Sequence, residues 1–220
     1  MKLSKETLSV FKNFANINAN LIIKPGNKLT TMSAGKNIVA EVTVAEQFPI
    51  DFGVYDLNEF LGALSLFESP DLNFSEKFVT IKEGKNSVKY FAANMKALTP
   101  IPTVKPLPEA DISFTLSGSM INQIQKVSSI LHASDFSIVG DGTTISVVVG
   151  DKTNPTGNTY DSVLGETDKT FKVDFKVENL KLMPGDYKVD IAAKKISRFQ
   201  AVNSQTMYYI AIELTSTFGF

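Results

Sequence analysis

The chain contains no cysteine, so it can build neither a disulfide framework nor a thiolate metal centre, and an intracellular setting is expected. It has one histidine, His132. No second imidazole can complete a metal site with it, and its place near the end of an expected helix suits a capping role. No apolar run approaches the ~20 residues of a membrane-crossing helix, and Met1–Glu6 lacks the apolar centre of a secretory leader. Phosphate-binding loops are missing as well. Gly35–Lys36 and Gly84–Lys85 carry Thr30 and Val79 where the earlier glycine would stand. No Gly-x-Ser-x-Gly elbow occurs. Acid pairs such as Asp135 and Asp141 fall at expected turns, where Asp serves the local backbone. No enzyme and no cofactor is expected. Charge of one sign is also scarce: 22 Lys and Arg against 23 Asp and Glu leave a net charge of -1. That excludes bulk-charge coating of nucleic acid, and leaves room for cations gathered on one face.

What is present is a globular composition, 43% hydrophobic and 20% charged over 220 residues, enough for two cores of ordinary size. An internal echo favours two. Asp51–Leu57 (Asp-Phe-Gly-Val-Tyr-Asp-Leu) returns as Asp174–Leu180 (Asp-Phe-Lys-Val-Glu-Asn-Leu), each an Asp-Phe-x-Val strand end with Leu six residues after the Asp. Leu3–Lys12 has a counterpart in Leu116–Lys126. The pattern reads as a duplicated α+β module: an amphipathic helix, strands, a short helix, more strands. The two modules span 1–93 and 111–220. Between them lies 94–110, where Pro100, Pro102, Pro106 and Pro108 predict an extended connector running over the surface.

Within the first module, residues 4–17 read as a helix with Ser4 as N-cap and Glu6 in the first turn. Leu3, Thr7, Val10, Phe11, Phe14 and Ile17 form its apolar stripe; Lys5, Ser9, Lys12 and Asn16 form the opposite one. Strands are expected at 21–23, 29–32, 38–44 and 48–54. A helix follows over 57–67, ended by Pro70, and then strands at 72–75, 77–82 and 87–93. In the second module a strand at 112–116 precedes a helix over 119–131. Met120, Ile124, Val127 and Leu131 are expected inside, with Asn122, Gln125, Lys126 and Ser129 outside. Strands follow at 136–140, 144–149, 159–164 and 170–177, then a short helix over 177–183 stopped by Pro184. The chain closes with strands at 187–193 and 208–214, separated by a basic stretch at 194–198. Both long helices thus carry polar stripes free of carboxylates in a chain with 23 acids. That coincidence points to an anionic partner as strongly as to a plain solvated face.

Three blocks, Leu3–Lys5, Phe11–Asn18 and above all Tyr55–Leu66, together with the proline-rich connector and Met183–Lys188, carry a resemblance that runs the length of the chain. The sequence resembles the sliding clamps of T-even-type bacteriophages, ring-shaped processivity factors of the phage DNA polymerase. It departs from them around 68–80 and 150–168, and in being nearly neutral.

The resemblance implies the DNA clamp fold, α+β, with two similar domains per chain, helices lining the ring interior and β-sheets outside. It implies a homotrimer that encircles double-stranded DNA in the cytoplasm of the infected bacterial host. Lys5, Lys12, Asn16, Asn122, Gln125 and Lys126 would face the duplex, with Lys2 and Lys181 beside them. Peptides of the polymerase and clamp loader would dock in an apolar groove formed by Leu98, Ile101, Val104, Leu107, Phe218 and Phe220. Subunits would join an edge bearing Val88 and Tyr90 to one bearing Tyr160 and Val163. RNA polymerase late-transcription factors are further implied partners.

Two other readings stand beside this one. A virion structural or interaction protein of duplicated β-rich modules would need no cationic preference on its helices. A single-strand binder would interleave exposed aromatics with basic residues, whereas the aromatics here fall mostly at apolar-periodic positions.

Overall fold

The computed structural model describes all residues except 104–106, 151–153, 155 and 194–195. The chain folds as two compact units, Met1–Val104 and Lys105–Phe220.

Unit 1 starts with α1 (Lys5–Ile17), capped by Ser4, whose hydroxyl accepts from the Thr7 N–H. Thr7, Val10, Phe11, Phe14 and Ile17 are buried, as the periodicity predicts, and Asn13 joins them. Strands β1 (Leu21–Ile23), β2 (Gly26–Met32), β3 (Ile38–Phe48) and β4 (Phe52–Val54) follow. β1 pairs antiparallel with β4, and β2 with β3. The expected single strand over 48–54 is broken: β3 runs on to Phe48, Pro49 interrupts pairing by removing a backbone donor, and β4 restarts at Phe52. Helix α2 (Leu57–Ser65) begins at Asp56, whose carboxylate accepts the N–H groups of Asn58 and Glu59. A meander of β5 (Asp71–Phe74), β6 (Phe78–Glu83) and β7 (Asn86–Phe91) completes the unit.

The core of unit 1 is a chain of aromatic contacts. Tyr90 meets Phe60 at 5.1 Å, Phe60 meets Phe11 at 6.0 Å, and Phe11 meets Phe48 at 6.3 Å. Phe74 then bridges Phe48 and Phe52. Edge-on rings of this kind join both helices to the strands beneath them.

Unit 2 repeats the opening. β8 (Ile112–Leu116) leads into α3 (Gly118–Leu131), and Ser117 accepts from the Met120 N–H as Ser4 does from Thr7. Strands β9 (Asp135–Asp141), β10 (Thr144–Gly150), β11 (Thr159–Glu166) and β12 (Thr170–Lys176) come next. Then follow β13 (Tyr187–Ala192), β14 (Ile196–Ala201), β15 (Thr206–Ala211) and the two-residue β16 (Thr217–Phe218). One sheet has the order β11-β10-β9-β12-β16; in the other, β14 lies between β13 and β15, and β8 flanks β13.

The structure corrects three expectations here. The buried residues of α3 are Ile121, Ile124, Val127 and Ser128, with Met120 and Leu131 only half-buried. Apolar residues at both 120 and 121 start an equally good stripe, and the Ser128 hydroxyl, bonded to the Ala133 carbonyl, makes the second one acceptable inside. Part of the basic stretch is strand β14; Lys194 and Lys195 lie outside the described residues. The short helix at 177–183 shrinks to a single 3-10 turn, Val177–Asn179. A helix starting at Leu180 would place Pro184 four residues on, where its ring clashes with the Leu180 carbonyl and offers no N–H. The echo itself holds at its end point, for Leu57 and Leu180 are both buried.

His132 ends α3 in the left-handed region at φ 53°, and its N–H bonds the Ser128 carbonyl. Its backbone thus caps the helix while its side chain lies in solvent.

Candidate nucleic-acid interface and subunit edges

On α1, Lys5, Ser9, Lys12 and Asn16 form one exposed stripe. Neither lysine makes an ion pair among the described residues. The only acid of the helix, Glu6, sits in the first turn beside the stripe. The helix is held from below by Glu46 of β3, whose carboxylate accepts the Ser4 N–H and, at 2.5 Å, the Thr7 hydroxyl. Burial opposes the charge of Glu46, but these donors outweigh it and keep its carboxyl below the usual range. A carboxylate at a helix N-terminus also meets the positive end of the dipole.

On α3, Asn122, Gln125, Lys126 and Ser129 are exposed, and the helix contains no Asp or Glu. Gln125 is less free than its spacing suggests: its Nε2 donates to the Leu180 carbonyl at 3.0 Å. Lys126 and Asn122 make no contact of this kind among the described residues. Of the two remaining cations, Lys2 donates to Ser69 Oγ at 3.2 Å, and Lys181 is half-buried.

Among the strands that end their sheets are β7 in unit 1 and β11 in unit 2. On β7, Tyr90 turns inward, edge-on to Phe60 with its hydroxyl donating to the Asp56 carbonyl at 3.1 Å, and Val88 shares that side. Ser87, Lys89 and Phe91 face outward, with Phe91 68% exposed. On β11, Tyr160 is half-buried while Asp161 and Val163 are exposed. Unpaired edges of this kind are templates for another strand.

Two halves of the chain match known families. Residues 4–100 match the DNA polymerase processivity factor family, and residues 113–214 match the C-terminal domain of the gp45 sliding clamp. The sliding clamp of Vibrio phage KVP40 is 34% identical over 97% of this chain and 99% of its own length. The chain belongs to the sliding-clamp family. The clamps of Escherichia phage RB69 and Enterobacteria phage T4 are 30% and 28% identical over the full length of both partners. Among solved structures, Proliferating Cellular Nuclear Antigen from Entamoeba histolytica superposes with a TM-score of 0.70 over 94% of this chain and 95% of that one, at 13% identity. A. fulgidus PCNA, solved with the C-terminal region of FEN-1, gives 0.69 over 96% of each chain at 11% identity. At such identities these structures establish the clamp fold.

The residues expected to form the clamp's partner-peptide groove are scattered in burial. Leu98 is 6% exposed, and a Cβ on Gly53 would come within 2.9 Å of its Cδ1. It therefore belongs to the core of unit 1, and the groove loses it. Ile101 is half-buried beside Leu21, Ile22 and Thr30–Met32. This part of the connector is laid on unit 1 by Asn18, whose Nδ2 donates to Thr99 Oγ1 and the Met32 carbonyl, and by Asn20, which accepts from the Thr99 N–H. Val104 lies outside the described residues. In unit 2, Leu107 and Phe218 are half-buried and Phe220 is exposed. Phe218 and Phe220 contact each other at 5.8 Å, and the Lys169 ammonium sits 4.8 Å from the Phe220 ring.

The edges expected from the resemblance, 87–91 and 158–164, contain Lys89, Phe91 and Asp161, but the residues chosen on the first, Val88 and Tyr90, face inward; Tyr55, 69% exposed near Phe91, is not among those chosen. The alternation along residues 86–91 could have separated Lys89 and Phe91 from Val88 and Tyr90. No pattern within the chain reveals that the strand stands at an edge.

Proposed function

We propose that three copies of this clamp close into a ring around double-stranded DNA and hold the phage DNA polymerase at the primer end. The observation that carries this reading is the pair of exposed, acid-free helix faces, one in each unit, at equivalent places of a duplicated module. In a closed ring they supply six cationic strips to the duplex. The domains are 1–93 and 111–220, joined by 94–110.

Lysine and amide side chains suit sliding. They attract phosphates through a screened, sequence-independent interaction, whereas a bidentate base contact would add about 1–3 kcal/mol of roughness at preferred sequences. Lys5, Lys12, Asn16, Asn122 and Lys126 are the residues in this role. Gln125 contributes the second N–H of its amide, and Lys2 and Lys181 lie to the side. Affinity is replaced by topology: a closed ring cannot leave sideways, and a bound polymerase meets the primer end at raised effective concentration.

Subunit closure joins the β7 edge of one copy to the β11 edge of the next. Lys89 on one and Asp161 on the other have opposite charge, and Phe91 and Val163 supply apolar area. The candidate residues for partner peptides are Ile101 in unit 1 and Leu107, Phe218 and Phe220 in unit 2. The clamp catalyses nothing; an ATP-driven clamp loader opens it, and late-transcription factors use the same tether in the host cytoplasm.

The test is molar mass by light scattering across a dilution series, followed by retention on nicked circular and linearised DNA. A mass near three chains, with retention on circles and loss from linear ends, is the expected result. A monomer throughout, or equal retention on both DNAs, refutes the ring.

A further inference from the structure

A groove of about 340 Å³ lies between α1 and α2. Its walls are mostly apolar: Leu8 comes from α1, Leu61 and Leu64 from α2, and Phe67 from the turn beyond. Lys5 and Lys12 line the α1 side. The clamp function proposed above uses Lys5 and Lys12 but none of the apolar wall, and the cavity's size and lining are those of an ordinary ligand site.

The geometry selects the occupant. Lys5, Leu8 and Lys12 follow one another at steps of three and four residues, so the two cations stand two helical turns apart, about 10 Å, with an apolar residue between them. Leu61, Leu64 and Ser65, at i, i+3 and i+4, share one face of α2. Two helices with such a trough between them fit a third helix whose apolar side chains recur at i, i+3, i+4 and i+7. Charge fixes the sign. Lys5 and Lys12 have no ion-pair partner among the described residues, and Lys2 is held at the far wall by Ser69. The one acid lining the groove is Glu68.

We propose that the α1–α2 groove binds an acidic amphipathic helical segment of a protein partner. Leucine or phenylalanine anchors fill the trough, and carboxylates two turns apart pair with Lys5 and Lys12. The two lysines are those assigned above to the duplex, so the segment and DNA compete for them. That competition, unlike the binding itself, rests on the ring reading.

The probe is a fluorescein-labelled synthetic helical peptide with leucines along one face and two glutamates spaced as Lys5 and Lys12 are. A control peptide carries lysines in place of the glutamates. Anisotropy with the full chain is expected to show saturable binding of the acidic peptide, at least about tenfold tighter than the control. Ser65→Glu, an exposed substitution on the groove wall, weakens the acidic peptide by about tenfold or more while the melting temperature holds. Leu61→Asp does the same from the apolar side, and methyl resonances of Leu8, Leu61 and Leu64 shift on titration. Equal affinity for both peptides, or binding indifferent to Ser65→Glu, overturns the proposal. So does binding that appears only after dilution to monomer, since a second copy would then be the occupant. Binding that passes these tests without being displaced by duplex DNA upholds the groove and counts against the placement of Lys5 and Lys12 in the DNA path.

Discussion

The side-chain amide of Gln125, on α3, donates to the carbonyl of Leu180 at 3.0 Å. That carbonyl is free because Pro184 forbids the helix whose i+4 N–H would have taken it. A residue that spacing assigns to the DNA face is thus also a structural tie between α3 and the turn at 177–179.

The two roles separate experimentally. Gln125→Ala leaves a backbone acceptor without its protein donor and should lower unit 2 stability by about 1 kcal/mol, with little change in the salt dependence of DNA association. Lys126→Ala and Lys12→Ala should behave in the opposite way. Each leaves the melting temperature and the ring mass unchanged, and reduces the slope of log K against log salt by about one. Urea denaturation and a salt series of binding isotherms measure both; an unchanged slope for the lysine variants removes them from the DNA path.

The free strand edges make a prediction about assembly. Val163 is 63% exposed on β11, so Val163→Lys costs the isolated chain little, about 0.5 kcal/mol or less. If β7 and β11 meet as proposed, it puts a second positive charge into a contact that already holds Lys89. Light scattering should then show the proposed trimer of the variant dissociating at concentrations where the parent chain keeps its mass. An intact trimer would move the interface elsewhere.

Gly53 tests the seat of the connector. An added Cβ would approach the Ala93 carbonyl oxygen to 2.7 Å and the Leu98 side chain to 2.9 Å. Backbone on one side and a buried leucine on the other leave little room to yield. Gly53→Ala should destabilise unit 1 by about 1–3 kcal/mol, the usual range for overpacking. Thermal unfolding checks it, and Leu98→Ala in the same chain should recover part of the loss.

A pH prediction follows from Asp190, buried on β13. Burial raises the cost of its charge. Even so, the Arg198 guanidinium at 2.7 Å, the Ser113 hydroxyl at 2.8 Å and nearby Lys188 together hold its carboxyl below the ordinary range. Because the folded value is depressed, the stabilisation is fully present above the ordinary carboxylate range near pH ~4 and is lost as pH falls through the folded value. Glu46 acts in the same direction at the start of α1. Asp190→Asn should therefore lower stability at neutral pH by roughly 2–3 kcal/mol, since it leaves Arg198 without its charge partner, and flatten the acid limb of stability against pH. Denaturant midpoints from pH 3 to 7 measure it; an acid limb identical to the parent's would show that Asp190 does not couple to folding.

Much of this protein was legible before any coordinates. Ser4 marks the start of α1 because a hydroxyl at that place can satisfy an otherwise orphan N–H, and it does so; Ser117 does the same for α3, whose start was expected at 119. The buried stripe of α1 follows from its spacing alone, because its apolar run admits one phase. The stripe of α3 does not, because Met120 and Ile121 both offer a start, and only the strands beneath the helix choose between them.

The sequence by itself determined the duplicated α+β plan, the family and the helix faces without acids. These are local properties, written in period, cap and composition. Tertiary structure decided what depends on residues distant in the chain: that Leu98 is core because it packs on Gly53, that Gln125 is tied to Leu180, that β7 and β11 are edges, and that α1 and α2 leave a groove between Lys5, Lys12 and Leu64. An edge or a cavity is defined by what fails to pack against it, and no stretch of sequence carries that information about itself.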